Sequence, residues 1–304
     1  MFVPASIRRA SRARVIRRLI TMLITVVLAS FLIVCAPGAA ANAAREASCT
    51  LTPTSGTETH EVAGRKYLLR VPAGLSGPSV PLLIALHGAA QPPSLHETDT
   101  GWSGIAQTKH FIVAYPSTRQ STWDFTQGSE DVTYLRAVVR DISSVYCVDP
   151  RRVHAEGHSS GALMAARLAC DASTVFASVA VYAGADPTLT GSPCGDPPSP
   201  NVDPLRPIAV GIFHGNADPI SLFPFAVQHR DNWLRRNGCP ATPQTEPNVM
   251  VEASVYRPCK VGVEVVWRVY QAGHLLPKSA DKIDMTSRMW DFFLRNPFPV
   301  SAAK

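Results

Sequence analysis

Beyond about residue 56, apolar positions fall into two rhythms. Short runs at Pro81 to Leu86, Phe111 to Tyr115, Val153 to Glu156, Ala177 to Tyr182, Ile208 to Phe213 and Val263 to Tyr270 are too continuously apolar for strands with one wet face. They predict strands buried on both sides, as in a parallel sheet. Between them, Asp131 to Tyr146, Ser160 to Cys170, Phe225 to Asn237 and Lys282 to Leu294 show helical spacing; in the first, Val132, Leu135, Val138, Val139, Ile142 and Val145 share one face. Ahead of these, Glu58 to Val62 and Lys66 to Val71 flank an Ala-Gly-Arg turn and predict a hairpin. The alternation predicts an α/β fold: one doubly wound, mostly parallel sheet with helices on both faces, in a single domain from residue 44 to 304. No internal repeat is visible, and the proline-rich stretch Pro187 to Pro207 reads as a surface excursion.

The N-terminus breaks this rhythm. Arg8, Arg9, Arg12, Arg14, Arg17 and Arg18 precede an uncharged run from Leu19 to Cys35, followed by small residues ending in Ala41-Asn42-Ala43. A charged region, an apolar region and an A-x-A site predict a secretory signal peptide over residues 1–43. An uncleaved membrane anchor and a lipoprotein modified at Cys35 are the competing readings; Val34 stands where lipoproteins usually carry a smaller residue.

The net charge of +6 belongs to that segment: without its six arginines, 23 basic residues face 23 acidic ones. The body is neutral, which removes the main argument for a nucleic-acid partner. With 46% apolar and 17% charged residues the composition is that of a globular protein. Cleavage after Ala43 would leave six cysteines, Cys49, Cys147, Cys170, Cys194, Cys239 and Cys259, an even number that suggests three disulfides in an exported chain. No C-x-x-C pair occurs, and neither a metal nor a cofactor site is recognisable.

Gly157-His158-Ser159-Ser160-Gly161 fits G-x-S-x-G, with a short strand before it and a helical run after it. A nucleophile elbow requires that order, with glycines where the backbone turns too sharply for side chains. A serine needs an adjacent base, and the base needs an acid to orient it. Of the histidines beyond Ser159, His229 falls in a predicted helix and His214 directly at a strand end. His274 lies in the loop after the last strand and is the expected base. Asp218, in the turn after the preceding strand, is the expected acid, with Asp231, Asp281 and Asp284 as alternatives. A tetrahedral oxyanion needs two N–H donors; Ser160 and Ala89, the latter in the His87-Gly88-Ala89-Ala90 loop, are the candidates, and His87 is expected to brace that loop.

These residues resemble the feruloyl esterases of carbohydrate esterase family 1, within the wider group that includes extracellular polyhydroxybutyrate depolymerases. The resemblance runs from about Cys49 to Leu294 and is most specific at Cys147 to Val153, Ala166 to Cys170, Gly211 to Gly215, Asn237 to Cys239 and Val255 to Cys259. It implies an α/β-hydrolase fold, the same Ser159, Asp218 and His274 roles, and disulfides joining Cys49 to Cys147, Cys170 to Cys194 and Cys239 to Cys259. Two departures border the site: Ala272-Gly273-His274 is followed by Leu275-Leu276-Pro277 where relatives usually carry Gly-Gly-His and a Trp-Pro or Pro-rich turn, and Ala89-Ala90 stands where relatives often have Cys or Gly.

The expectation is therefore a secreted, extracellular or periplasmic, monomeric serine esterase. It would work through an acyl-enzyme on an ester that is small or polymer-attached, with hydroxycinnamoyl or acetyl esters of plant polysaccharide first and polyester as the alternative. Trp102, Trp123, Phe223 and Phe225 are the candidate walls of its substrate pocket. A serine peptidase and a non-catalytic exported binding protein are the readings from other classes.

Overall fold

A computed structural model describes residues 49–194, 201–245, 251–277 and 280–299 of the chain. The expected signal peptide, residues 1–43, lies outside the described residues, as does part of the proline-rich excursion. The hairpin is β1 (Glu58–Val62) and β2 (Arg65–Arg70). There follow β3 (Val80–Leu86), α1 (Pro93–Thr100), α2 (Trp102–Lys109), β4 (Ile112–Pro116), α3 (Glu130–Val145), β5 (Val148–His158) and α4 (Ser160–Asp171). The second half holds β6 (Ser178–Tyr182), β7 (Ala209–Gly215), α5 (Phe223–Asn237), β8 (Gln244–Thr245), β9 (Glu252–Tyr256), β10 (Val265–Tyr270) and α6 (Ala280–Arg295).

Among the described residues the strands form one sheet in the order β1-β2-β4-β3-β5-β6-β7-β10-β9-β8. Its middle, from β4 to β10, is parallel, and both edges are antiparallel. Leu82, Ile84, Val179, Val181 and Ile212 face a core shared with Val132 and Leu135 of α3, Met164 and Leu168 of α4 and Trp233 of α5. Their neighbours Leu83, Ala85, Ala180 and Phe213 face a second core with Trp102 of α2 and Met289, Trp290 and Phe293 of α6. Successive side chains point to opposite faces, so a strand covered on both sides must be apolar throughout. No helix among the described residues is long and apolar enough to cross a membrane.

The central strand departs from the expected pattern. β5 is longer than the run Val153 to Glu156, and it alternates: Val153 and Ala155 enter the first core, whereas His154, Glu156 and His158 are buried with polar partners. His154 Nδ1 lies 2.8 Å from Ser178 Oγ, and Glu156 accepts from Trp102 Nε1 at 3.1 Å and pairs with His96 Nε2 at 3.0 Å. The helices α1 and α2 were not legible because Pro92-Pro93, Gly101 and Gly104 mimic loop sequence. Gly101, at φ 71°, both ends α1, through its N–H to the Glu97 carbonyl, and precedes α2.

The order of the parallel strands reverses beside β3 and β5, and the crevice at such a switch point is where ligands of doubly wound sheets bind. Strand register brings the candidate loops to that edge: Leu86 pairs with Gly157, His158 with Tyr182, Tyr182 with Phe213, and Tyr270 with Gly215.

Three disulfides join Cys49 to Cys147, Cys170 to Cys194 and Cys239 to Cys259, the pairing the resemblance implies. Arg167, wholly buried in α4, fixes the start of the excursion through hydrogen bonds to the carbonyls of Pro187, Ser192 and Pro193 and pairs with Asp171. The bridges span 98, 24 and 20 residues. Cross-linking a longer loop removes more entropy from the unfolded chain. Urea unfolding of the three double Cys→Ala variants should therefore show the largest loss, about 4–5 kcal/mol, for Cys49 with Cys147, and about 3 kcal/mol for each of the others. An inverted order would show that native-state effects outweigh loop closure.

Candidate active site

Ser159 sits between β5 and α4 with φ 55° and ψ −116°, a conformation that side chains other than glycine rarely adopt. The turn is tight enough that a Cβ on Gly157 would lie 2.1 Å from the Gly161 carbonyl oxygen, and one on Gly161 would lie 2.1 Å from that of Leu86. Both glycines are therefore required, and the second brings α4 directly against the end of β3. The Ser159 amide donates to the Tyr182 carbonyl, which fixes the turn to the neighbouring strand.

His274 Nε2 lies 2.8 Å from Ser159 Oγ, and its Nδ1 lies 2.9 and 3.1 Å from the two oxygens of Asp218. Because an ionised carboxylate only accepts, Nδ1 carries the proton and Nε2 accepts from the serine hydroxyl. Asp218 is buried, and its Oδ1 also accepts from the amides of Ile220 and Ser221 at 2.8 and 2.9 Å. The acid and base loops meet backbone to backbone: the Ala217 amide donates to the Ala272 carbonyl, and a Cβ on Gly215 would lie 2.3 Å from that same oxygen.

The other histidines and acids have different partners. His214 Nε2 donates to the Ser221 carbonyl at 2.7 Å, bracing the Asp218 loop, and burial lowers its pKa. His229 accepts from Trp233 Nε1 within α5, and burial pushes its pKa down to about 4. Asp231 pairs with Arg230, and Asp284 bonds Tyr270 and Arg288. Asp281 lies in the first turn of α6.

Behind the elbow, the loop after β3 closes on itself. Gly88 N–H donates to Gln91 Oε1, Gln91 N–H to the Gly88 carbonyl, and Ala90 N–H to the Ser121 carbonyl. Ala89, between them, is exposed, and its amide has no acceptor among the described residues. His87 is buried, with Nδ1 2.8 Å from the Gly88 carbonyl oxygen. The Ser160 hydroxyl accepts from the Trp123 amide at 3.0 Å, leaving its own amide at the first turn of α4.

Two of the expected pocket walls are not walls. Trp102 is fully buried among Phe111 and Phe293, its indole N–H on Glu156. Trp123 is also buried and joins two pieces of the site, its amide on Ser160 Oγ and its indole N–H on the His87 carbonyl. Large aromatic rings near a site serve its frame as readily as its surface, and nothing in the sequence separated the two uses. Phe223 is half-buried against Trp267, and Phe225 is exposed. Sequence reasoning passed over Tyr182 and His158, although the alternation of β5 was a usable signal for the second. Among the described residues no group of His, Cys, Asp and Glu could hold a metal ion.

Residues 65–187 match the family model described as Esterase PHB depolymerase. The chain is 28% identical over 238 residues to a bifunctional acetylxylan esterase/xylanase of Neocallimastix patriciarum, covering 76% of this chain but only 33% of that protein. It is 27% identical over 265 residues to a probable feruloyl esterase C of Aspergillus niger, covering 83% of this chain and 92% of that one. Its fold is shared with an acetyl xylan esterase from Aspergillus awamori at a TM-score of 0.62 and 17% identity, over 79% of this chain and 99% of that one. The chain is thus a carboxylic ester hydrolase of α/β-hydrolase architecture that resembles the feruloyl and acetylxylan esterases, with an Esterase PHB depolymerase match over residues 65–187.

Proposed function

We propose that Ser159 is the nucleophile, His274 the general base and Asp218 the acid of a secreted, monomeric esterase acting on hydroxycinnamoyl or acetyl esters of plant polysaccharide. The observation that carries this reading is the unbroken hydrogen-bond line from Asp218 through His274 to Ser159. As Ser159 Oγ attacks the ester carbonyl, its proton passes to His274 Nε2, and the buried carboxylate of Asp218 stabilises the imidazolium. The amides of Ala89 and Ser160 receive the charge that develops on the carbonyl oxygen. The imidazolium then protonates the departing alcohol, leaving an acyl-serine, and a water activated by the same imidazole releases the acid. The substrate class rests on the likeness to feruloyl and acetylxylan esterases. Export rests on the N-terminal pattern and on disulfides, which persist in oxidising compartments.

A polyester reading has its own support. Ile220 and Leu222, shortly after the acid in the chain, and Leu275, directly after the base, are 69%, 47% and 67% exposed and give the site an apolar rim. Initial rates on methyl ferulate, p-nitrophenyl acetate and a short hydroxybutyrate oligomer decide between the two. Preference for ferulate is expected; turnover of the oligomer alone would replace the substrate and keep the triad.

Trp123 ties the Ser160 turn to the Ala89 loop, so it sets the spacing of the two amide donors. Trp123→Phe keeps an aromatic ring, smaller than the indole, and removes the N–H to the His87 carbonyl. The donor pair stabilises the transition state more than the bound ester, so loosening it should lower kcat about tenfold or more with KM nearly unchanged. An equal rise in KM would place Trp123 in substrate binding instead.

A further inference from the structure

The loop after β10 carries no regular secondary structure up to Pro277, yet four consecutive carbonyls in it lie within hydrogen-bonding distance of a donor. That of Ala272 accepts from the Ala217 amide at 3.0 Å, those of Gly273 and Leu275 lie 2.8 and 3.2 Å from the Tyr182 hydroxyl, and that of His274 lies 2.8 Å from His158 Nε2. Three of these contacts come from the ends of β5 and β6, the strands that flank the elbow, and the one on His274 itself comes from the residue directly before Ser159.

We propose that His158 is a positioning residue for the base: it holds the His274 backbone so that the imidazole spans Ser159 and Asp218 together. This rests on the triad reading above. A carbonyl accepts only, so Nε2 of His158 carries its proton and the ring is a fixed, planar donor. The ring is stacked on Tyr182, at 5.9 Å between centroids, and lies 5.3 Å from the His274 ring. On its other side, a Cβ at Gly88 would stand 3.1 Å from Nδ1, so the ring fills the gap between the loop that bears Ala89 and the loop that bears His274. Nδ1 is buried without a partner among the described residues, so Nε2 is the ring's one bonded nitrogen there. Burial also holds the pKa of His158 down to about 4, so the ring stays neutral beside the imidazolium that forms on His274.

The test is steady-state hydrolysis of p-nitrophenyl acetate by the full chain and by His158→Phe, His158→Gln, His158→Asn and Ser159→Ala, with thermal unfolding recorded for each. Misplacing a reacting group by about 1 Å costs on the order of 10²-fold. His158→Phe, which cannot donate, should therefore lose about 100-fold in kcat with KM within about twofold. His158→Gln, whose amide N–H reaches about as far as imidazole Nε2, should recover to within about tenfold of wild type. His158→Asn is equally polar but too short, and should behave as the phenylalanine variant does. If His158→Phe does not fold, the Gln and Asn pair decides, and equal kcat in the two overturns the proposal. Wild-type kcat in His158→Phe overturns it as well, as does damage that falls on KM and melting temperature alike in every variant. Undiminished turnover by Ser159→Ala would instead overturn the triad reading, whatever the His158 variants do.

Discussion

Ser159→Ala should lower kcat for p-nitrophenyl acetate by about 10⁶-fold while leaving the thermal unfolding curve close to that of the wild type. The two halves of this expectation have separate causes. On the proposed triad the lost oxygen is the atom that forms the acyl bond, and no other side chain among the described residues bonds His274 Nε2. What survives is the stabilisation that the Ala89 and Ser160 amides give to an ester attacked by water. The fold is indifferent because, among the described residues, the Ser159 hydroxyl hydrogen-bonds only His274, at a partly exposed position, while the turn is held by the Ser159 backbone and by Gly157 and Gly161. Alanine adds no atom and inherits the same φ of 55°. Active-site labelling with a fluorophosphonate checks the assignment independently: the wild type should incorporate one label and the variant none. Loss of only tenfold in kcat, or labelling of the variant, would mean that another residue is the nucleophile.

How much of this was legible in the sequence follows from which interactions are local. The elbow could be read because its glycines, its serine and the flanking strand and helix are contiguous, and the steric demand on Gly157 and Gly161 is met within the pentapeptide and the strand beside it. Most strands were legible because burial on both faces writes itself as continuous apolar sequence, and the hairpin because a turn signal separates its two half-exposed strands. The alternation that carries His154, Glu156 and His158 on one face of β5 is visible in the sequence, but the partners of that face are not. Those three residues bond Ser178, His96, Trp102 and the His274 carbonyl, which lie 24 to 116 residues away. Trp123 was misread for the same reason, since its indole hydrogen and its amide serve partners 36 and 37 residues distant, whereas composition says only that a tryptophan is near. Helices α1 and α2 were hidden by the opposite effect: their local punctuation reads as loop, and what holds them is tertiary, the burial of His96 and Thr100 for α1 and of Trp102 and Ala106, in the second core, for α2.

The acid offers the sharpest test of geometry against sequence, because an amide in its place has only one way to sit. In the wild type, Asp218 Oδ1 accepts from two backbone amides, Ile220 and Ser221, and Oδ2 lies 2.9 Å from His274 Nδ1. In Asp218→Asn the amide oxygen must take the place of Oδ1, since an NH2 there would face two N–H donors. The NH2 group then points at His274 Nδ1, which can meet it only as an acceptor, so the proton moves to Nε2 and faces the Ser159 hydroxyl. The base arrives already protonated at the atom that must receive the proton. A fall in kcat of about 10⁴-fold is expected, with the loop structure and KM nearly unchanged. Asp231→Asn breaks a pair with Arg230, and Asp284→Asn weakens pairs with Arg288 and with the buried Arg268; neither carboxylate bonds His274, and both variants should keep kcat within about twofold of wild type. If Asp218→Asn retains more than about a tenth of the wild-type rate, the tautomer argument fails, since Oδ1 would then not be committed to the backbone as the structure has it.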